Sequence, residues 1–387
     1  MPVKLSRRAR WAAPAVAVVV TAAVVAGLQI PAAQATPNLP ARTPAQLLAE
    51  VSSDAALPPL TGTMVEATSL GLPQLPQAGN TNSLSSLITG SHTIKIYYQD
   101  ASHFRLAIPQ PESEIDVIRN GSTGWLWDST ENSVTKLELP AGQGKAGQSA
   151  AKLPTPPLTP QQAADAVLKA VGQTTVVSVE ANVMVAGEPC YQLVLAPRDD
   201  RSLVGKVTIA IDAKYGAPLR VQVFAKGAGS PAFQFGYTAL QFVAPAAANY
   251  DFTPPPGASV TVENLASGTR KSAAGQQSQT SGFGVYGTSW LTVVELPQKD
   301  LMRGFGTVPG SSGAAPASGG SGPAGVMGGD SQEVLSALLG SAKPVHGAWG
   351  SGTLLTTSLF SMLMTGGEVY IGAVEPSVLY AAVGHAS

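Results

Sequence analysis

Residues that could do metal or acid–base chemistry are scattered along the chain. The four histidines share no spacing typical of a metal-ligand pair, and they are His92, His103, His346 and His385. Glu112, Glu114 and Asp116 form a small acidic run. Two such carboxylates could catalyse glycoside hydrolysis, but a solvated strand edge explains the same pattern. The sequence therefore predicts no enzyme activity and no bound metal or cofactor.

One glycine motif and one cysteine also need an interpretation. Gly282-Phe-Gly-Val-Tyr-Gly287 matches G-x-G-x-x-G, which binds a pyrophosphate only when a strand precedes it and a helix follows. Residues 288–294 are β-branched and strand-like, so we do not expect a dinucleotide site. Cys190 is the single cysteine, which excludes an intrachain disulfide. It lies in a strand pattern and is predicted to be a buried thiol.

Composition and charge exclude some partners. Charged residues are 12% of the chain, about half of the roughly 25% that is usual for soluble proteins. The 41 glycines and 31 prolines indicate many loops and linkers. The net charge of −1 gives no basic patch for nucleic acid. We therefore expect no nucleic-acid partner.

The first 35 residues have the pattern of a secretory signal. The segment from Lys4 to Arg10 is basic, residues 12–30 are almost all apolar, and Ala33-Gln-Ala35 fits a cleavage site. Cleavage would leave Thr36 as the first residue. The alternative is an uncleaved anchor, because the apolar run is long enough to span a bilayer. Both interpretations place the remaining chain outside the cytoplasmic membrane, either secreted or anchored at its outer face.

Two segments with a Thr-Pro start predict helices. In 43–52, Thr43 can cap the helix, Pro44 suits the first turn and Gln46 completes a capping box. The apolar side chains of this helix are Leu47, Leu48 and Val51. The second helix, 159–171, contributes Val167 and Leu168. Each helix therefore offers apolar side chains for packing.

Between residues 92 and 257 apolar and polar residues alternate, as they do in an antiparallel sheet with one wet face. The Asn120-Gly121 pair predicts a hairpin turn. The side chains predicted to line the apolar side are Ile94, Ile96, Tyr98, Phe104, Leu106, Leu193, Leu195, Ile209, Ile211, Val221, Val223, Phe233 and Phe235. Trp125 and Trp127 lie two apart on one strand, and they either fill a core or line a hydrophobic cavity.

The composition of the sequence changes after Gly257. A linker over 258–280 is predicted to lead into a small C-terminal α/β domain, 281–387. Its Gly, Ser, Ala and Pro-rich loop at 304–330 is predicted to be disordered. The elements predicted in this domain are a strand at 289–296, a helix at 331–339, a strand at 368–373 and a helix at 375–383. Two further Gly- and Pro-rich insertions, 70–87 and 140–157, interrupt the first part of the chain.

In their order and spacing, these elements resemble the LolA/LolB-like lipoprotein carrier superfamily over roughly 40–257. That group includes the lipid-binding lipoproteins of the LprG/LppX type and the RseB/MucB-type regulators. The segments that carry the resemblance, besides the first Thr-Pro helix, are His103-Phe-Arg-Leu106, Asn120-Gly121 with Trp125-Leu-Trp127, Gly187-Glu-Pro-Cys-Tyr-Gln-Leu193, Ile211-Asp-Ala-Lys-Tyr-Gly-Ala-Pro-Leu-Arg220 and Phe252-Thr-Pro-Pro-Pro-Gly257. The resemblance implies a mainly β (α+β) fold. It would be a curved, unclosed antiparallel half-barrel over 36–257 with helices packed in its mouth.

The resemblance also implies a function. Proteins of this group hold acyl chains between the sheet and lid helices. The apolar side chains named above, together with Trp125 and Trp127, thereby become candidates for the wall of a hydrophobic cavity. The corresponding lid residues are Leu47, Leu48, Val51, Val167 and Leu168. The implied partners are an acyl lipid or lipoprotein and the membrane surface of the cell envelope.

Two departures from the carrier pattern leave a second hypothesis open. No cysteine follows the signal segment, whereas the lipidated carriers of this group have one there. The 281–387 region extends beyond the minimal carrier fold, and its segments 285–294 and 366–374 loosely resemble the second domain of RseB-like regulators. The alternative function is therefore an RseB-like envelope-stress regulator that contacts a membrane anti-sigma factor.

Overall fold

The computed structural model describes residues 36–51, 57–71, 91–110, 112–138, 172–264, 284–298 and 340–386. Some sequence predictions lie outside these ranges, namely the signal segment 1–35, the linker 140–157, the helix 159–171 with Val167 and Leu168, the loop 304–330, the helix 331–339 and most of 70–87 and 258–280. Within the described ranges, no helix reaches the length and hydropathy that crossing a membrane requires.

Strands dominate the described residues, as the alternating sequence predicts. In chain order the elements are α1 (Pro44–Val51), β1 (Leu60–Thr68), β2 (Ser91–Asp100), β3 (His103–Pro109), β4 (Glu114–Asn120), β5 (Thr123–Asp128), β6 (Ser133–Glu138), β7 (Thr175–Val185), β8 (Glu188–Pro197), β9 (Val204–Asp212), β10 (Pro218–Ala225), β11 (Pro231–Gln241), β12 (Ser259–Asn264), β13 (Gly284–Tyr286), β14 (Val293–Pro297), β15 (Lys343–Gly347), β16 (Gly350–Thr356), β17 (Ser361–Thr365), β18 (Glu368–Gly372) and α2 (Pro376–Ala386). Two short 3-10 helices, Ala247–Asn249 and Ser289–Leu291, complete the set.

Twelve strands form one large sheet in the order β12-β6-β5-β4-β3-β2-β1-β11-β10-β9-β8-β7. The sheet does not close into a barrel, so the predicted open, mainly β half-barrel is confirmed. Its described pairs are antiparallel except for β12 and β6, which run parallel. The prediction of a linker from residue 258 onward is wrong for β12. That strand pairs with β6 from Ser259 to Asn264 because Val260 and Val262 continue the β-branched alternation.

The pairing register divides the large sheet into two faces, because direct cross-strand partners lie on the same side. Leu193 pairs with Ile209, Val221 pairs with both Ile209 and Phe235, and the row so formed crosses four strands. On the other side of β1, Tyr98 pairs with Phe104 and with Leu60. We call this side the apolar face, and its members include Leu60, Met64, Ile94, Ile96, Tyr98, Phe104, Leu106, Leu193, Leu195, Ile209, Ile211, Val221, Val223, Phe233 and Phe235.

Helix α1 covers one end of the apolar face. Its start is the predicted capping box, in which the Gln46 N–H donates to Thr43 Oγ1 (3.2 Å) and the Thr43 N–H donates to Gln46 Oε1 (2.9 Å). Leu47 and Leu48 are buried against β8 and β9. Their contacts include Tyr191, Leu193 and Ile211, and Val51 packs at the margin of this cluster.

A second sheet lies in the C-terminal part of the chain, with the strand order β13-β14-β18-β17-β16-β15. We call this sheet together with α2 the C-terminal unit. Leu379 and Ala382 of α2 pack on Leu363 and Tyr370 of the sheet, which confirms the predicted strand–helix end of the chain. The domain limits 36–257 and 281–387 stay predictions.

The strand predicted at 289–296 is correct only in its second half. Ser289 has a φ of 55°, in the left-handed region that residues other than glycine seldom adopt. It opens the 3-10 helix Ser289–Leu291, which ends where Thr292 Oγ1 donates to the Ser289 carbonyl (2.8 Å). The strand β14 therefore starts only at Val293. The same turn places Trp290 toward the large sheet.

The C-terminal unit covers the other end of the apolar face. Trp290 Nε1 donates a hydrogen bond of 2.7 Å to Thr175 Oγ1 at the start of β7. Leu359 and Ala373 belong to the same buried cluster as Phe233 and Val223 of the apolar face. Backbone hydrogen bonds add to this packing, among them Leu203 N to the Ala373 carbonyl (3.0 Å) and Ser358 N to the Leu70 carbonyl (2.9 Å).

Candidate ligand-binding face

The apolar face is covered unevenly. Over β8 and β9, where α1 packs, Leu193 and Ile211 are 0% exposed. Over β10 and β11, next to the C-terminal unit, Phe233 is 8% exposed. The predicted cavity residues on β2 and β3 are all half-buried, and they are Ile94, Ile96, Tyr98, Phe104 and Leu106. Four candidates on β8 to β11 are half-buried as well, namely Leu195, Ile209, Val221 and Phe235. Among the described residues, β2 and β3 are therefore the part of this face on which no predicted cavity residue is fully buried.

This half-covered surface continues onto β4 and β5. Leu106 pairs with Val117, and Val117 pairs with Leu126, which is 43% exposed. Along β2, the apolar side from His92 to Tyr98 spans six residue steps, about 20 Å at the usual strand rise. The structure thus presents an apolar strip whose length compares with that of an extended hexadecyl chain.

The two tryptophans do not belong to this strip, which corrects their placement among the cavity candidates. Trp125 pairs with Ile118, and Ile118 pairs with Arg105. Arg105 points away from its strand neighbours Phe104 and Leu106, because successive side chains alternate between faces. Trp125 and Trp127 therefore lie on the opposite face of the sheet from the other thirteen candidates.

A segment after β11 covers the tryptophans. The Phe252 ring lies 5.5 Å from Trp125 and 6.0 Å from Trp127, between ring centroids, in tilted contacts that aromatic pairs favour. Asn120 Nδ2 donates to the Tyr250 carbonyl (3.4 Å) and to Asp251 Oδ1 (3.2 Å), which holds the segment against the end of β4. Of the two interpretations left open for the tryptophans, this packing supports a place in the core.

The acidic run on β4 is part of the same covered face. Arg105 Nε donates to Asp116 Oδ1 (3.0 Å), and its Nη2 donates to Asp116 Oδ2 (2.6 Å) and to Glu114 Oε1 (2.9 Å). The Asp116 side chain is 1% exposed. The prediction of a solvated strand edge is therefore wrong for Asp116, because β3 and β5 flank it on both sides and supply Arg105 and Trp127.

Burial and ion pairing shift the pKa values of this ion cluster in opposite directions. Burial raises the pKa of Asp116 and Glu114 adds to the rise, while the hydrogen bonds from Arg105 act in the opposite direction. Burial acts to lower the pKa of Arg105, but its hydrogen bonds and attraction to the two carboxylates raise that pKa overall. The fork-shaped hydrogen bonds from Arg105 to Asp116 make the cluster a structural tie between β3 and β4.

Three polar side chains on the apolar face, those of Glu66, Thr68 and His92, are not among the predicted ligand-binding residues. Glu66 pairs directly with His92 on one side and with Phe235 on the other. Thr68, two residues along β1, pairs with Phe233 and is 3% exposed. The alternation of β1 could have revealed Glu66 and Thr68, because both lie an even number of residues from Leu60 and Met64 and therefore point to the same face.

The single cysteine lies where it was predicted. Cys190 is 0% exposed, and burial together with nearby Asp212 raises the pKa of its thiol to about 12. A thiol that stays protonated is a poor nucleophile. In the glycine motif, Gly287 leads into the 3-10 helix Ser289–Leu291 and then β14, not into the α-helix that a pyrophosphate site needs.

Comparison with known proteins finds likeness only among solved structures. No protein-family model and no curated protein matches the chain. The MucA/MucB complex of Pseudomonas aeruginosa is similar over 88% of this chain and 94% of that one, at 15% identity and a TM-score of 0.38. A LolA superfamily protein from Nitrosomonas europaea is similar over 55% of this chain and 99% of that one, at 10% identity and a TM-score of 0.18. An uncharacterized conserved protein from Thermus thermophilus is similar over 56% and 98%, at 12% identity and a TM-score of 0.31.

These neighbours include both groups that the sequence resemblance names, the MucB-type and the LolA-type proteins. At such identities and TM-scores the likenesses carry no conclusion about function. The functional interpretation therefore comes from the residues of this chain.

Proposed function

We propose that the protein binds an acyl lipid, or the acyl chains of a lipoprotein, outside the cytoplasmic membrane. The bound chain would lie on the apolar face over β2 and β3. The observation that supports this is that every predicted cavity residue on β2 and β3, such as Phe104 and Leu106, is only half-buried, whereas β8 to β11 include fully buried ones such as Leu193. Contiguous apolar surface that the described residues leave partly open is typical of a binding site.

The energetics suit a ligand without a charged contact. Burying each methylene group is worth about 0.8 kcal/mol, so a hexadecyl chain on the strip would gain on the order of 10 kcal/mol before the costs of association are subtracted. Those costs are several kcal/mol. A reversible complex is therefore within reach, which is what a carrier needs.

Binding rather than catalysis is the role that we propose. The ionisable groups with close partners, such as the cluster of Arg105 and Asp116, are tied up in structure. Leu47, Leu48 and Val51 would form one fixed boundary of the binding surface, because α1 already packs on β8 and β9. The signal-like segment 1–35 supports a location in the cell envelope, where acyl lipids and lipoproteins are available.

The proposal is tested with two neighbouring substitutions on β2. Ile96 lies on the apolar face, while Lys95 is exposed on the other face of the same strand. We expect Ile96→Glu to weaken binding of a fluorescent fatty acid by at least about tenfold, because it places a charge against the acyl chain. Lys95→Glu is the matched control and should bind as the wild type does.

Two results would contradict the proposal. One is a wild-type protein that neither takes up the fluorescent fatty acid nor carries extractable acyl lipid in native mass spectrometry. The other is equal affinity in Ile96→Glu and Lys95→Glu, with both variants folded by circular dichroism. Either result would remove the strip on β2 and β3 as a lipid site.

A regulatory protein that contacts a membrane anti-sigma factor is the second candidate. The observation that favours it is the C-terminal unit, whose sheet has β13 and β15 at its edges and whose Val285 is 68% exposed on β13. An extended peptide can add to such an edge. If purified protein does not bind the extracytoplasmic part of an anti-sigma factor, and gene deletion leaves envelope-stress signalling unchanged, this candidate is excluded.

A further inference from the structure

A cationic side chain lies on the apolar face at one end of the strip over β2 and β3. Arg119 of β4 pairs directly with Phe104 of β3, and Phe104 pairs with Tyr98 of β2. Because direct cross-strand partners share a face, the half-buried Arg119 extends from the same side of the sheet as Phe104 and Tyr98. A charge on a partly buried apolar surface needs solvent or a partner of opposite charge.

Two hairpin turns position the Arg119 guanidinium at the rim of the sheet. Arg119 Nε donates to the Gly121 carbonyl (3.2 Å), and this bond uses one of the five N–H donors of a guanidinium. The Gly121 N–H donates in turn to the Ser102 carbonyl (2.8 Å), in the turn between β2 and β3. In that turn, the Asp100 carboxylate accepts from the Ser102 N–H (2.7 Å) and lies 3.1 Å from His103 Nδ1. The carboxylate of Asp100 is therefore engaged within its own turn.

Arg119 contrasts with the arginine on the opposite face of β3. Arg105 forms ion pairs with both Asp116 and Glu114. Among the residues that the structure describes, no ion pair includes Arg119. Guanidinium groups bind carboxylates and phosphates through charge-assisted hydrogen bonds, so an anionic ligand on the strip would give Arg119 the partner that Arg105 has in Asp116.

The acidic side chains on this part of the apolar face lie at the other end of the strip. Glu66 pairs with His92 at the start of β2, and Asp128 pairs with Ile115 at the start of β4. Arg119 lies at the end of β4, four residue steps or about 13 Å from Ile115 at the usual strand rise. An anionic head group would be repelled by the two carboxylates and attracted by Arg119. The charges therefore favour one orientation of an anionic acyl ligand.

We propose that Arg119 binds the anionic head group of the acyl ligand, a carboxylate or a phosphate, while the chain extends over Phe104 toward His92. This inference rests on the proposed lipid-binding function and specifies its ligand class as acyl lipids with an anionic head group. The planar guanidinium suits both anions, because two of its parallel N–H groups can donate to two oxygens of either one. The strip continues for about 20 Å along β2 from Tyr98 to His92, which leaves room for a long chain.

The test compares ligands that have the same chain length and different head groups. Palmitate, hexadecyl phosphate and methyl palmitate displace a fluorescent fatty acid from the purified full-length protein, and the Kd of methyl palmitate divided by that of each anion measures head-group recognition. We expect the wild type to prefer at least one anion by about tenfold, as a charge-assisted hydrogen bond at a half-buried site would give. The anion with the lower Kd identifies the head group as a carboxylate or a phosphate.

Substitutions of two arginines then assign the preference to Arg119. Arg119→Gln should reduce it to about twofold or less and keep the affinity for methyl palmitate, while Arg119→Lys, which keeps the charge but not the fork, should retain part of it. Arg198→Gln is the matched control and should leave the preference at the wild-type value. Arg198 Nε also donates to a backbone carbonyl, that of Gly172 (2.8 Å), but Arg198 follows β8 and lies outside the strip.

The ionic strength provides a readout that needs no substitution. Because salt screens a partly exposed charge, about 1 M salt should lower the preference of the wild type for the anion. A wild type without preference, a preference that about 1 M salt leaves unchanged, or a folded Arg119→Gln that retains it fully would each overturn the head-group site while the lipid-binding function stands. If none of the three ligands displaces the probe from the wild type, both proposals fail.

Discussion

The two faces of strands β3 and β5 differ less in residue composition than in how closely other parts of the chain pack on them. On one face Ala107 of β3 is buried, Trp125 and Trp127 of β5 are half-buried under Phe252, and Arg105 pairs with the buried Asp116. On the other face the large apolar side chains of β3 stay half-buried, and Leu126 of β5 is 43% exposed. Contacts with Phe252 and Arg105 therefore close the first face, while no apolar side chain of β3 on the second face is fully buried. The second face is the candidate ligand surface.

Breaking the ion cluster on the closed face should have the largest effect on stability. In Arg105→Met, the Asp116 carboxylate would stay buried without its bidentate partner, and we expect the free energy of unfolding to fall by about 3–5 kcal/mol. Urea denaturation measures the change. Affinity for an acyl probe should not move, because Arg105 faces away from the strip.

The matched control for this substitution is Arg201→Met. Arg201 also forms a pair with an aspartate, Asp199, but the two side chains are 53% and 37% exposed. Exposed pairs contribute little to stability, so Arg201→Met should leave the free energy of unfolding nearly unchanged. Equal losses in Arg105→Met and Arg201→Met would show that Asp116 is not buried as the structure has it.

A pair of phenylalanine substitutions should separate the two faces more sharply. Phe252→Ala uncovers Trp125 and Trp127, and we expect a loss of about 2–3 kcal/mol in unfolding free energy, below the range of fully buried phenylalanines. The affinity for the acyl probe should stay the same. Phe104→Ala, on the open face, should cost about 1–2 kcal/mol but weaken acyl binding several-fold. Reversal of this pattern would assign the ligand to the tryptophan face.

Local sequence signals predict much of the fold. Alternation along β7 to β11 indicates both the strands and their buried side, and the Thr43 to Gln46 capping box indicates where α1 begins. These features depend on residues that are close together in the sequence. The thirteen aliphatic and aromatic candidates other than Trp125 and Trp127 were identified by such signals and share one face.

Local sequence signals could not predict which other parts of the chain pack on each face of the sheet. The contact between Asn120 and Asp251 joins residues 131 positions apart, and that between Trp290 and Thr175 joins residues 115 apart. The side to which Trp125 points depends on the register through two turns, Gln110 to Ser113 and Gly121 to Ser122, where a shift of one residue would reverse it. Glu66 escaped notice because an acidic residue on a strand is usually solvated.

The measurement that tests the central claim most directly is photo-crosslinking of a bound fatty acid. A palmitate analogue with a diazirine on its chain is bound to the purified protein and irradiated, and the labelled residues are located by peptide mass spectrometry. We predict labels on the open strip, at Ile94, Ile96, Phe104 and Leu106. Labels concentrated at Trp125, Trp127 and Phe252, or no labels within the large sheet, would contradict the assignment of the ligand to this face.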